Sequence, residues 1–163
     1  MLNYLYDKKF IVNDMTIPQM FKLAKDKGGG PQPFVKGGTL VVVHEGQGIR
    51  VAINETDTHY ATIPLISCAG VVFSSTQVAG LAYLYHAKSG MVPGDAFKEA
   101  MAALGNPKLN TVHVIYTFPN KSDAGYLADA KKIIEYGVPE DQLLYAPDLT
   151  GSSFGINTKG LLG

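Results

Sequence analysis

Thr62-Ile63-Pro64-Leu65-Ile66-Ser67-Cys68-Ala69-Gly70-Val71-Val72-Phe73 is followed by the polar triplet Ser74-Ser75-Thr76 and then by Leu81-Ala82-Tyr83-Leu84-Tyr85-His86-Ala87. The first segment is mostly apolar, the triplet breaks it, and the second is rich in aromatic and aliphatic residues. Two apolar runs of strand length around a polar break predict neighbouring antiparallel strands. Such a pair brings Cys68, on the outgoing strand, close to His86, on the returning one.

Upstream, Thr39-Leu40-Val41-Val42-Val43-His44 and Ile49-Arg50-Val51-Ala52-Ile53-Asn54 flank the short turn Glu45-Gly46-Gln47-Gly48, a pattern that predicts a hairpin. The run from Leu2 to Val12 predicts one or two short strands. Between them, Thr16 and Gln19 have capping-box spacing, Pro18 lies in the first turn, and Met20, Leu23 and Ala24 follow at helical spacing before Gly28. Gly28-Gly29-Gly30-Pro31-Gln32-Pro33 then reads as a connecting loop.

The last third alternates. Phe97, Met101 and Leu104 mark one face of a helix over 95–104, bounded by Pro93 and Gly105. Val112 to Phe118 predicts a strand. Ser122 can cap a helix running to Tyr136, with Leu127, Ala130 and Ile134 inward, Lys131 and Lys132 outward and Gly137 as stop. Strands are expected again over 142–146 and 154–157. The sum is an α+β (mixed α/β) fold in one domain, rich in antiparallel strands, with about three helices packed outside.

Composition limits the function classes. The 163 residues suffice to bury a core without metals or disulfides. Lys plus Arg and Asp plus Glu number 14 each, and this balance argues against a phosphate-tracking nucleic-acid binder and against a polybasic membrane-surface protein. No run reaches the roughly twenty apolar residues of a membrane helix, and the N-terminus lacks signal-peptide patterning. The single cysteine, Cys68, excludes an intramolecular disulfide and points to a reducing compartment, although export without a cleaved signal is compatible with it.

Phosphate-loop, HExxH and EF-hand patterns do not occur, and Gly28-Gly29-Gly30 follows a helix rather than leading into one. His44, His59, His86 and His113 have no ligand-like spacing with one another or with carboxylates, so no metal is expected. Cys68 with a histidine elsewhere is the pattern of a thiol nucleophile and its base. A lone cysteine otherwise behaves as a small buried hydrophobe. Ser67, Ala69 and Gly70 surround the thiol with small residues, which would let a substrate approach it and let the Cys68 amide serve as an oxyanion donor. Gly70 would equally permit a strand bend without function. Thr62, six positions upstream of Cys68, could orient the imidazole of His86, whereas a threonine in a strand means nothing by itself.

At Thr62-Ile63-Pro64-Leu65-Ile66-Ser67-Cys68 and then His86, the chain resembles the Cys–His glutamine deamidase superfamily. That superfamily includes the chemotaxis receptor deamidase CheD and the catalytic domain of the cytotoxic necrotizing factors. CheD has a Thr, then Leu-Gly-Ser-Cys, then a strand, a turn and a strand carrying the His. The later elements and Asp148-Leu149-Thr150-Gly151 fall in the same order as in CheD, although Thr150-Gly151-Ser152-Ser153 replaces the usual glycine pair and basic residue. Ala87-Lys88-Ser89-Gly90 looks more like the toxin branch.

The resemblance implies a β-sandwich-like core over 39–163 with residues 1–38 as an N-terminal extension. It implies hydrolysis of a glutamine side chain on a protein substrate without a cofactor. Cys68 would be the nucleophile, His86 the acid–base group, Thr62 its orienting residue, and Ser67 and Ala69 would flank the oxyanion site. A cytoplasmic enzyme and a bacterial effector or toxin domain acting in a target-cell cytosol both fit. A thiol protease, a transglutaminase and a non-catalytic protein-binding adaptor of the same fold are the alternatives. The adaptor predicts a buried, unreactive Cys68 and a His86 pointing elsewhere.

Overall fold

The computed structural model describes residues 3–4, 11–12, 15–16, 39–52, 58–62, 65, 67–78, 80–118, 123–147 and 154–157. Its strands are β1 (Asn3–Tyr4), β2 (Ile11–Val12), β3 (Met15–Thr16), β4 (Thr39–Val43), β5 (Gly48–Ala52), β6 (Thr58–Thr62), β7 (Ala69–Ser75), β8 (Leu81–Ala87), β9 (Val112–Phe118), β10 (Leu143–Pro147) and β11 (Phe154–Asn157). The helices are α1 (Gly94–Ala103) and α2 (Asp123–Glu135). The helix expected after Thr16, the loop over 28–33, the Ser122 cap and the Asp148–Gly151 segment lie outside the described residues, and Thr16 itself ends β3.

β7 and β8 pair antiparallel as their apolar runs predict, with Gly70 opposite His86 and Ala69 opposite Ala87. They lie within a six-stranded sheet of order β1-β10-β9-β7-β8-β5. β9 is antiparallel to β7, and β10 and β1 continue parallel to it. α2 links the parallel pair β9 and β10, which cannot be joined by a tight turn. β7 runs on through Ser74 and Ser75, so the polar triplet ends the strand rather than preceding its end.

Every residue of β7 is buried, because the central sheet is covered on both faces. On one face the helices pack: Val71, Phe73, Tyr83, Tyr85, Val114 and Tyr116 meet Phe97 and Met101 of α1 and Ala130 and Ile133 of α2. Phe73 meets Phe97 edge-on at 6.0 Å between ring centroids, and Phe97 stacks on Tyr136 at 5.1 Å. On the other face Val72, Leu84, Ile115 and Leu144 pack against Val43, Phe154 and Ile156 of a three-stranded sheet ordered β11-β6-β4. The architecture is α+β, with helices, a mixed central sheet and a smaller mixed sheet in layers.

The hairpin expected over 39–54 does not form. β4 and β5 have nearly the expected limits, but β4 pairs parallel with β6 in the small sheet while β5 pairs antiparallel with β8 in the large one. The turn between them does have its Gln47 N–H to His44 carbonyl bond at 3.0 Å. Its other bonds go to β8: the Gly46 amide donates to the His86 carbonyl at 2.8 Å and the His86 amide to the Gln47 carbonyl at 2.9 Å. The segment is therefore a corner that steps between sheets. Residues 43 to 47 close around His86.

Candidate active site

Cys68 immediately precedes β7 and is 2% exposed. Its side chain packs in the layer between the two sheets, with Val43, Leu65, Val72 and Leu84. Exposed residues surround this end of the sheet: Ser67 is its neighbour in sequence, Lys88 and Ser89 follow β8, and Glu45 belongs to the corner turn. The Sγ thiol donates to Glu45 Oε1 at 3.5 Å. Burial pushes the thiol above its usual range, the backbone amide of Ser89 opposes that shift, Glu45 adds to it by hydrogen bond and charge, and Lys88 opposes it. The resting sulfur is a neutral thiol.

The Ser89 amide reaches the sulfur from an unusual backbone. Lys88–Gly90 is a single 3₁₀ turn in which Ser89 has φ 54° and Gly90 φ 85°, both left-handed. A Cβ on Gly90 would stand 2.8 Å from Tyr116 Oη and 2.9 Å from the Tyr126 ring. Tyr116 Oη donates to the Gly90 carbonyl at 2.7 Å and pins the turn to β9. The turn also borders a cleft of about 220 Å³ lined by Met91, Val92, Pro93, Asp129, Lys132 and Tyr136.

His86 is fully buried on β8. Alternation along the strand puts Tyr83, Tyr85 and Ala87 on the helical side and Ala82 and Leu84 on the inter-sheet side, which His86 shares. Its Nδ1 lies 2.7 Å from the Val43 carbonyl. A carbonyl only accepts, so Nδ1 carries the proton, and in neutral imidazole that leaves a lone pair on Nε2. Nε2 is buried with no hydrogen-bond partner among the described residues. An unsatisfied buried polar atom costs about 1–3 kcal/mol, and proteins retain few of them.

Gly70 lies opposite His86 on one side and Thr117 on the other. A Cβ there would stand 2.9 Å from Thr62 Oγ1 and 3.0 Å from Phe154 Cδ1, so the glycine lets the small sheet approach β7. Cys68 lies two residues before Gly70, which makes it the diagonal neighbour of His86 across the β7–β8 pair.

The expected residues thus gather at one end of the central sheet, with different hydrogen bonds. Thr62 is buried at the end of β6, and its hydroxyl donates to the Phe154 carbonyl at 2.7 Å; the group that orients His86 is the Val43 carbonyl. The thiol bonds to Glu45 instead of His86. Ser67 is exposed beside the sulfur, and Ala69 packs on the helical side of the sheet. Glu45, Val43 and Ser89 were not legible as site residues, because the first two join the site only through the inter-sheet corner and the third only through its backbone.

No family model matches the sequence, and no curated protein matches it. Among solved structures, the chain is similar to the Neisseria meningitidis protein NMB0706, assigned to DUF152. The TM-score is 0.49 at 11% identity, over 73% of this chain and 74% of that one, a likeness of fold alone. Among the described residues no group of His, Cys, Asp and Glu is arranged to hold a metal ion, and no helix is long and apolar enough to cross a membrane.

Proposed function

We propose that this chain is a thiol hydrolase that converts a glutamine side chain of a protein substrate to glutamate. One observation carries the reading: His86 is fixed through Nδ1 on the Val43 carbonyl, with a buried, unpartnered Nε2 on the sheet face that Cys68 adjoins. That is the tautomer a general base for the thiol requires.

As substrate enters, the thiol proton passes to Nε2 and the sulfur attacks the carboxamide carbon, forming the S–C bond of a tetrahedral adduct. The amide of Cys68 and the amide of Ser89, already directed at the sulfur, are the donors for its oxyanion. The imidazolium returns its proton to the departing nitrogen, the C–N bond breaks and ammonia leaves. Water then loses a proton to Nε2 and attacks the thioester, and the thiol regains that proton as glutamate is released. An amine in place of the water gives transamidation instead. Thr62 serves this scheme by tying β6 to β11 above Gly70.

Incubation with a proteome in ¹⁸O water, followed by peptide mass spectrometry, tests the reading. Glutamine positions converted to glutamate with one ¹⁸O are expected with the native chain and not with Cys68→Ser or His86→Ala. No conversion, or conversion that persists in both variants, overturns it. The buried neutral thiol favours a second reading, an adaptor that binds a partner without chemistry. Partner binding unaffected by Cys68→Ser, without conversion, would support it.

A further inference from the structure

Within the proposed site, one charged group touches the nucleophile and has no part in the steps above. Glu45 is exposed, its Oε1 lies 3.5 Å from Cys68 Sγ, and its turn is held to both backbone groups of His86. The turn that carries the carboxylate is therefore fixed relative to His86, and the carboxylate itself meets the sulfur. A group attacked by Sγ must bring its carbon to within about 3–3.5 Å of the sulfur, so a substituent on that carbon that points toward the corner turn comes within hydrogen-bonding range of Glu45. A carboxylate only accepts hydrogen bonds. It can receive an N–H of a carboxamide, and it repels a second carboxylate.

We infer that Glu45 is the specificity-determining residue of this site, selecting an uncharged carboxamide at Cys68 and rejecting a carboxylate. The inference rests on the proposed deamidase reading and deepens it. The carboxamide NH2 replaces the thiol as donor to Glu45, which frees the S–H to pass its proton to His86. After hydrolysis the product carboxylate faces Glu45 and is expelled. Lys88 is the charged group that acts on the same sulfur with the opposite sign, and its exposed ammonium favours anions there.

Iodoacetamide and iodoacetate test this without a protein substrate. The two reagents are nearly isosteric, and both form an S–C bond to Cys68 with loss of iodide. One carries a carboxamide and the other a carboxylate. Because both react with the same thiolate, the ratio of their rates cancels any change in thiol ionisation. The ratio of amide to acid is expected to fall about fivefold to tenfold in Glu45→Gln and in Glu45→Ala, less at high salt, as for two unit charges near a protein surface. Lys88→Gln should move it the other way. A ratio unchanged in both Glu45 variants overturns the assignment. The change in ratio reads the charge at position 45 and the absolute alkylation rate of His86→Ala reads the base, so this failure is distinct from failure of the Cys68–His86 chemistry.

Discussion

Gly70→Ala puts a methyl group where the two sheets come closest to the proposed site. The added Cβ would meet Thr62 Oγ1 at 2.9 Å and Phe154 at 3.0 and 3.1 Å, all tighter than ordinary contact. Thr62 and Phe154 are themselves fully buried, so neither can retreat into solvent. Overpacking of a close-packed core costs about 1–3 kcal/mol. Displacing Thr62 also strains its 2.7 Å bond to the Phe154 carbonyl, worth about 1 kcal/mol. The substitution should therefore cost about 2–4 kcal/mol, or roughly 5–15 °C in Tm for a domain of this size. Urea unfolding followed by circular dichroism measures it. A cycle with Thr62→Ala sharpens the test: with the nearest colliding atom removed, Gly70→Ala should cost about 1 kcal/mol less than in the native background. A loss below about 0.5 kcal/mol, or additive losses in the cycle, would refute the contact geometry.

Tyr116→Phe removes the donor to the buried Gly90 carbonyl and should cost about 1–2 kcal/mol in the same assay. It should also slow Cys68 alkylation as the Ser89 amide loosens from the sulfur, and unchanged stability and alkylation would argue against this pin. The Asp129 carboxyl is held above its usual range, first by burial, with Lys132 opposing. The folded state thus binds this proton more tightly than the unfolded chain, and ionised Asp129 opposes folding. Its penalty fades as pH falls through the raised folded value and is gone below the unfolded one. Asp129→Asn should raise the urea midpoint at neutral pH and match the native chain in acid. A variant less stable at neutral pH would contradict that sign.

The central antiparallel pair was legible because β7 and β8 are continuous apolar runs with both faces buried. Helix α1 was legible from Phe97 and Met101, both buried one turn apart. In α2 the periodicity named Ile134, whereas Ile133 is the fully buried residue and Ile134 packs partly buried at the margin. A pair of adjacent isoleucines does not by itself show which one faces the sheet. The corner at His44–Gln47 misled for a different reason. A Gly-containing turn between two β-branched runs has the same local chemistry whether its strands pair with each other or part into different sheets. The choice is made by burial against partners far away in sequence, β6 and β8. That same choice brings Val43 to His86 and Glu45 to Cys68, which is why the nearness of Cys68 and His86 could be read from the strand pair and the hydrogen-bond partner of each could not.

The pairing of Cys68 with His86 is open to a single kinetic experiment, the rate of Cys68 alkylation by iodoacetamide as a function of pH in the native chain and in His86→Ala. The thiol titrates above its usual range, so both proteins should show the same rise in rate at alkaline pH. With Nε2 as base for the thiol, the native chain should also keep a rate near neutrality about tenfold above that of His86→Ala. Curves that coincide across the whole range would contradict the pairing.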